Sequence, residues 1–295
     1  MELGVLFERG VLLNGLALCS GVGGLERGIA SVFRNYKTVC HVEGEAYAVA
    51  CLVSQMEKGF IHEAPVWSNV RTFNGKAWIG KVDIISGGFP CQPFSQAGKQ
   101  KGIDDERYLW PSISKIISQI RPSIVILENV PIVLNHAGKI IFGDLAKMGY
   151  NSSWCVIRAS DAEAPHRRER FFSISIHSNS YNDGFPISFI KEESYDRILE
   201  ERKIQGSCFE RLCSNVSNTH SNSKSNKSIN VKQRGIFQKS EHWKVEPGVG
   251  RMADGVAHWV DRLRACGNGV VPQQAKLALE ILISNLNLEF KDSKL

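Results

Sequence analysis

The chain has 295 residues, of which 43% are hydrophobic, 9% aromatic and 22% charged; these are ordinary globular values and exclude both a mini-protein scaffold and a wholly disordered chain. Lys and Arg outnumber Asp and Glu by 36 to 30, a formal charge of +6, which favours an anionic partner without naming it. No apolar run reaches the roughly 20 residues a membrane helix needs, and the eight cysteines include no Cys-x-x-Cys pair or Cys/His zinc spacing, so reduced thiols and no metal are expected.

The apolar stretch from Val11 to Cys19 is interrupted by Asn14 and preceded by Glu8 and Arg9. It lacks a positive leader and is not read as a signal sequence. Up to about residue 176, short apolar runs alternate with helical stretches. Leu16 to Ser20, Lys37 to Glu43, Val82 to Ser86 and Ser123 to Leu127 read as buried strands. Gly24 to Phe33, Ala46 to Lys58, Tyr108 to Ile120 and Lys139 to Met148 read as the helices between them. Such alternation predicts an α/β fold with a mostly parallel sheet covered on both faces. Asn151 to Ala159 and Arg170 to His177 are two further strands joined only by a loop, so one of them is expected to run antiparallel.

The texture changes over residues 177–250. Between Thr219 and Lys244 stand six basic residues, Lys224, Lys227, Lys232, Arg234, Lys239 and Lys244, against the single acid Glu241. That segment carries most of the chain's excess charge, and reads either as a solvated insertion or as a phosphate-contacting loop. Pro272 to Leu286 returns to helical periodicity. The expected division is a domain of residues 1–176, an insertion of 177–250, and a return to the first domain over 251–295.

Four motifs carry chemistry. Cys19-Ser20-Gly21-Val22-Gly23-Gly24 follows the first strand and opens a helix; its glycines let the backbone turn sharply and approach a ligand. Glu43 ends the second strand, where a carboxylate can accept from two ribose hydroxyls. Gly87-Gly88-Phe89-Pro90-Cys91-Gln92-Pro93 places a thiol on a stiff turn at the carboxyl end of a strand. Glu128-Asn129-Val130 ends another strand with a carboxylate, and His166-Arg167-Arg168-Glu169-Arg170 opens a strand on which Arg168 and Arg170 share a face.

These motifs and their order resemble the C5-cytosine methyltransferases, over the whole chain except about 177–250. The glycine turn matches that family's cofactor motif, Pro90-Cys91-Gln92 its nucleophile motif, Glu128-Asn129-Val130 its acid motif and Arg168-Glu169-Arg170 its arginine motif. Gly267-Asn268-Gly269-Val270 matches the terminal motif that returns to the cofactor. The resemblance implies a Rossmann-like S-adenosylmethionine-dependent sheet, mostly parallel with one antiparallel strand, and a small inserted target-recognition domain, as in the compact bacterial and phage branch.

It also implies a DNA (cytosine-5)-methyltransferase. The Cys91 thiolate would add to C6 of a flipped-out cytosine. Glu128 would hold the N3 and N4 edge or protonate N3, C5 would take the methyl of S-adenosylmethionine, and loss of the C5 proton would expel the thiol, leaving S-adenosylhomocysteine as the other product. Arg170 would contact the cytosine carbonyl oxygen, and with Arg168 would hold the base and bias Cys91 towards thiolate. The implied cofactor contacts are Cys19, Gly21, Val22, Gly23, Gly24, Glu43, Asn69, Val70, Gly88, Pro90, Leu109 and Asn268. Implied DNA contacts are Gln92, Ser95 and the insertion's Lys224, Lys227, Lys232 and Arg234.

This sequence departs from the family at Ala17, Cys19, Gly44, Asn69 and His166, and the adenine-facing changes imply modest cofactor affinity. The expected partner is double-stranded DNA, with no membrane, a monomeric protein, a cytoplasmic setting in a bacterium or phage-infected host, and restriction-modification as a context in which a companion endonuclease could exist. The alternatives are a tRNA-directed relative with the same catalytic groups and a non-catalytic DNA-binding member of the fold. A thiol oxidoreductase is disfavoured because no resolving cysteine lies near Cys91.

Overall fold

The computed structural model describes residues 12–90, 108–182, 190, 191, 194, 213–216, 261, 265 and 267–285. Its strands are β1 (Leu13–Leu18), β2 (Tyr36–Val42), β3 (Val66–Trp67), β4 (Ile84–Gly87), β5 (Ile124–Asn129), β6 (Tyr150–Arg158), β7 (Glu169–His177) and β8 (Cys213–Val216). The helices are α1 (Gly24–Val32), α2 (Ala46–Glu57), α3 (Trp110–Ile120), α4 (Val133–His136), α5 (Gly138–Lys147), α6 (Ser178–Asn182) and α7 (Pro272–Asn285).

Eight strands form one sheet in the order β3-β2-β1-β4-β5-β7-β6-β8. The pairs among β1 to β5 are parallel, whereas β7 runs antiparallel to both β5 and β6. Of the two strands expected over residues 151–177, β7 is therefore the reversed one. The short strand β8 pairs antiparallel with β6 and is a second reversed strand at the sheet's edge.

Strands buried on both faces read as unbroken apolar runs, and β5 shows how they are used. Ile124 and Ile126 point into a core shared with Leu25 and Ile29 of α1 and Leu279 and Leu282 of α7. Val125 and Leu127 point into the opposite core, with Ile113 and Ile117 of α3 and Ile141 and Leu145 of α5. Each such fully buried side chain contributes about 1.5–3 kcal/mol of transfer free energy. The result is a three-layer α/β fold whose terminal helix α7 packs against the first helix, α1.

The order of strands reverses between β1 and β4: the chain winds outward from β1 through β2 to β3, then crosses back to β4 and β5. Such a reversal leaves a crevice at the carboxyl ends of the two central strands, where open α/β sheets bind ligands. The loops after β1, β4 and β5 all open there. Parts of the 177–250 stretch attach to the sheet domain, since Ile190 bridges Phe33, Lys191 N–H donates to the Val32 carbonyl at 2.8 Å, and β8 extends the sheet. Among the described residues no helix is long and apolar enough to cross a membrane.

Candidate active site

The glycine turn leaves β1 at Cys19, which adopts a left-handed φ of 53°, as Gly21 and Gly23 do at 54° and 77°. Gly23 is the N-cap of α1, so the helix opens where the turn ends. Gly24 permits a close approach: a Cβ there would lie 2.1 Å from the Val270 carbonyl oxygen. The 267–270 segment is thereby pressed onto the turn, although more than 240 residues separate them in sequence. Beside Gly21 a Cβ would meet nothing within 4 Å among the described residues, so none of them closes that side of the turn.

Glu43, at the end of β2, grips the same turn. Its Oε2 accepts from Gly21 N–H at 2.7 Å and its Oε1 from Glu45 N–H at 2.9 Å. The carboxylate is held on the crevice side of the turn with lone pairs to spare, since each oxygen can accept more than one bond. Burial and the nearby Glu43 push the Cys19 thiol up to about 12, so Cys19 stays protonated and serves as an apolar wall. Asn69 caps a short helical turn, its Oδ1 accepting from Arg71 N–H at 2.9 Å, and Val70 beside it is buried. Gly44 has a physical reason in this chain, because a Cβ would stand 2.9 Å from the Ser68 carbonyl oxygen.

An open-sided glycine turn, a carboxylate at the end of the neighbouring strand and a capped polar residue on the next loop fit the adenosine and amino-acid ends of a cofactor such as S-adenosylmethionine. Among the described residues no His/Cys/Asp/Glu cluster could hold a metal ion.

The loop after β4 carries Gly88, Phe89 and Pro90; Cys91, Gln92 and Ser95 lie outside the described residues, as do Lys224, Lys227, Lys232 and Arg234. Two contacts fix the approach to Cys91. Gly88 N–H donates to the Leu18 carbonyl at 3.3 Å, and Asn129 Nδ2 donates to the Phe89 carbonyl at 2.9 Å. The latter bond ties the end of β5 to the residue two positions before the thiol. Asn129 is fixed in turn by Val130 N–H, which donates to its Oδ1.

Glu128 is the acid of this crevice. It is 5% exposed, its Oε1 lies 3.1 Å from Arg170 Nε, and its Oε2 lies against Gly88, 3.1 Å from where a Cβ would be. Burial pushes its carboxyl up to about 7, against the opposing pull of the Arg170 and Arg168 guanidinium groups. It can therefore exist with or without its proton near neutral pH.

The two arginines converge, but with different work. Strand β7 begins only at Glu169, and Arg168 has a φ of 25°. Its guanidinium donates to the Gly267 carbonyl at 2.7 Å and to the Gly269 carbonyl. Arg170 reaches Glu128 and lies 3.5 Å from the Gly267 carbonyl. Arg167 instead joins Arg158 on Glu169. Leu109 caps the start of α3, Pro90 is exposed, and Asn268 is exposed on the terminal segment.

Three contributors lie outside the site residues drawn from the motifs. Asn129 is adjacent to Glu128 and could have been read from the same motif. Glu26 is 4% exposed, and its Oε1 accepts from Ser86 Oγ at 2.7 Å, so it links the glycine-turn helix to β4; an acid set among the apolar residues of α1 was its only signal. Gln274, wholly buried in α7, donates to the Ile157 carbonyl near the end of β6 and to the Arg168 carbonyl just before β7.

The chain matches the family model for C-5 cytosine-specific DNA methylases over residues 13–281. It is 31% identical to the type II methyltransferase M.NgoMIV of Neisseria gonorrhoeae over 179 residues, covering 58% of this chain and 53% of that one. It is likewise 31% identical to M.NlaX of Neisseria lactamica over 188 residues, covering 62% and 58%. The chain thus spans little more than half the length of these relatives. A solved structure of the S. pombe Dnmt2 methyltransferase is similar at 20% identity and a TM-score of 0.48, covering 67% of this chain and 58% of that one. With the matched family spanning the sheet from β1 to α7, the chain belongs to the C-5 cytosine-specific DNA methylases.

Proposed function

We propose that the protein is a DNA (cytosine-5)-methyltransferase that uses S-adenosylmethionine. The observation that carries this reading is the meeting of three loops at one crevice. Glu128, buried and paired with Arg170, stands against the Gly88 loop that leads to Cys91, beside the glycine turn held by Glu43.

In this reading S-adenosylmethionine, when bound, supplies an electrophilic methyl group. Cytosine C5 is too weak a nucleophile to take it unaided, and Cys91 remedies that by adding its sulfur to C6, which makes C5 electron-rich. The electron density moved into the ring needs a proton or a donor at N3. A carboxyl group that titrates near 7 serves this purpose, accepting from the N4 amine on one oxygen and giving its proton to N3 from the other. Arg170 holds that carboxyl in place and faces the base carbonyl. Once C5 carries the methyl group, a base such as a water molecule takes the C5 proton, the C–H electrons form the C5–C6 double bond, the C6–S bond breaks to release the Cys91 thiolate, and N3 returns its proton to Glu128. None of these groups reaches a base stacked in a duplex, so the target cytosine is flipped out.

The lysines and Arg234 of the basic stretch would contact phosphates, Gln92 and Ser95 would lie near the extruded base, and residues 177–250 would supply most of the recognition element inserted into the sheet domain. Duplex DNA is the proposed substrate and a monomer the proposed working unit, in the cytoplasm of a bacterium or an infected host, with or without a companion endonuclease. The test is transfer of tritium from methyl-labelled cofactor to duplex DNA and, in parallel, to tRNA. Label in DNA is expected. Label confined to tRNA overturns the substrate, and label in neither, with Cys91→Ser indistinguishable from the parent, identifies a non-catalytic member of the fold.

A further inference from the structure

We infer that Gln274 is a positioning residue, which fixes Arg168 so that Arg168 can clamp the 267–269 segment beside Arg170 and Glu128. The role is defined within the methyltransferase reading above.

Gln274 has no exposed surface. Its Nε2 donates to the Ile157 carbonyl at 2.8 Å and to the Arg168 carbonyl at 2.9 Å. One primary amide thus supplies two protons to two carbonyls on neighbouring chain segments, which a hydroxyl or a carboxylate could not do. The Arg168 carbonyl also accepts from Ala159 N–H at 3.1 Å. These bonds hold a residue whose φ of 25° is unfavourable for any side chain bearing a Cβ.

The Arg168 guanidinium then returns to the segment that leads into α7, donating to the carbonyls of Gly267 and Gly269. The arrangement is a closed loop: α7 holds the Arg168 backbone, and the Arg168 side chain holds the approach to α7. On one flank this segment presses Val270 onto Gly24 of the glycine turn. On the other, the Gly267 carbonyl lies 3.5 Å from Arg170, which holds Glu128. Gln274, wholly buried, has no surface to offer a cofactor or a base, yet the registration of both pockets passes through the residue it holds.

The experiment is a double-variant cycle in the full chain with Gln274→Met, Arg168→Lys and the pair. It is read by kcat and KM on duplex DNA, and by hydrogen exchange of the peptide covering residues 265–271. Each single variant is expected to lower kcat by about 10- to 100-fold, with a smaller change in KM for DNA, and to speed exchange in that peptide. The pair is expected to match Arg168→Lys alone, because both changes open the same loop. Effects that multiply, or a Gln274→Met protein with parental kcat and exchange, overturn the inference. Should Gln274→Met fail to fold, Gln274→Asn keeps one amide bond within reach; an intermediate kcat supports the role and a parental one overturns it. A parent chain inactive on both DNA and RNA sinks the methyltransferase reading, and the exchange cycle still decides the clamp.

Discussion

Arg170 Nε lies 3.1 Å from Glu128 Oε1, yet the Glu128 carboxyl is held at about 7 rather than in the usual carboxylate range. Burial outweighs the guanidinium, so the pair is positioned like a salt bridge and titrates like a catalytic acid. Glu128 is protonated below about pH 7, and its proposed work needs that proton. The value of kcat/KM should therefore decline as pH rises through 7. Arg170→Gln removes a cation that holds the carboxyl down, so the alkaline limb should move to higher pH while the maximal rate falls. A pH–rate profile of both proteins checks this, and a limb that stays put or moves down contradicts it.

Asn129 makes the bond that orients the approach to Cys91. Asn129→Ala leaves the Phe89 carbonyl without that donor, which costs about 1–3 kcal/mol where the carbonyl is shielded from water. We expect kcat to fall by roughly 10- to 100-fold and KM for S-adenosylmethionine to change little, because the glycine turn and Glu43 are untouched. Steady-state kinetics with each substrate varied in turn distinguish this from a general loss of fold, in which both constants deteriorate.

Glu26 should set part of the pH dependence of stability. Burial pushes its carboxyl up to about 7 from 4.5, against the opposing pull of the Ser86 hydroxyl, which donates to Oε1, and of its own backbone N–H, while Oε2 has no hydrogen-bond partner among the described residues. The folded chain keeps a proton here that the unfolded chain releases above 4.5. Stability consequently falls as pH rises from about 4.5 to about 7, by roughly 3 kcal/mol from this group. Glu26→Gln keeps an acceptor for Ser86 and carries no charge. Its Tm relative to the parent should therefore improve by several degrees between pH 5 and pH 8. A difference independent of pH would show that Glu26 does not carry this burden.

Gly24→Ala would place a methyl 2.1 Å from the Val270 carbonyl oxygen, so the terminal segment must retreat from the glycine turn. A loss of about 1–3 kcal/mol in urea unfolding is expected, together with at least a tenfold weaker binding of S-adenosylhomocysteine by calorimetry. Unchanged binding would mean that the 267–270 segment does not border the cofactor.

Much of this architecture was legible in the residues. The parallel strands announce themselves because both of their faces are buried, as Ile124 to Leu127 show, and the glycine turn, Glu43, the Cys91 loop and Glu128 each stand at the end of such a run. Strands β3 and β8 were not legible. Two and four residues, respectively, are too few to display a period, and they exist because a longer neighbour offers its edge. An extended reading of Arg168 and Arg170 placed them on one face, and they do converge on Gly267, but the turn at Arg168 and its clamp on a segment about 100 positions away arise from packing of α7. Glu26 with Ser86, and Gln274 with Arg168, are tertiary pairs of the same sort, and no local pattern encodes them.

Methyl transfer through Cys91 is read most directly by bisulfite sequencing of DNA from cells that express the protein, beside cells that express Cys91→Ser. Cytosines protected in a defined sequence context are expected with the parent chain and none with the variant. Cytosines unprotected in both, or equally protected in both, would contradict such transfer.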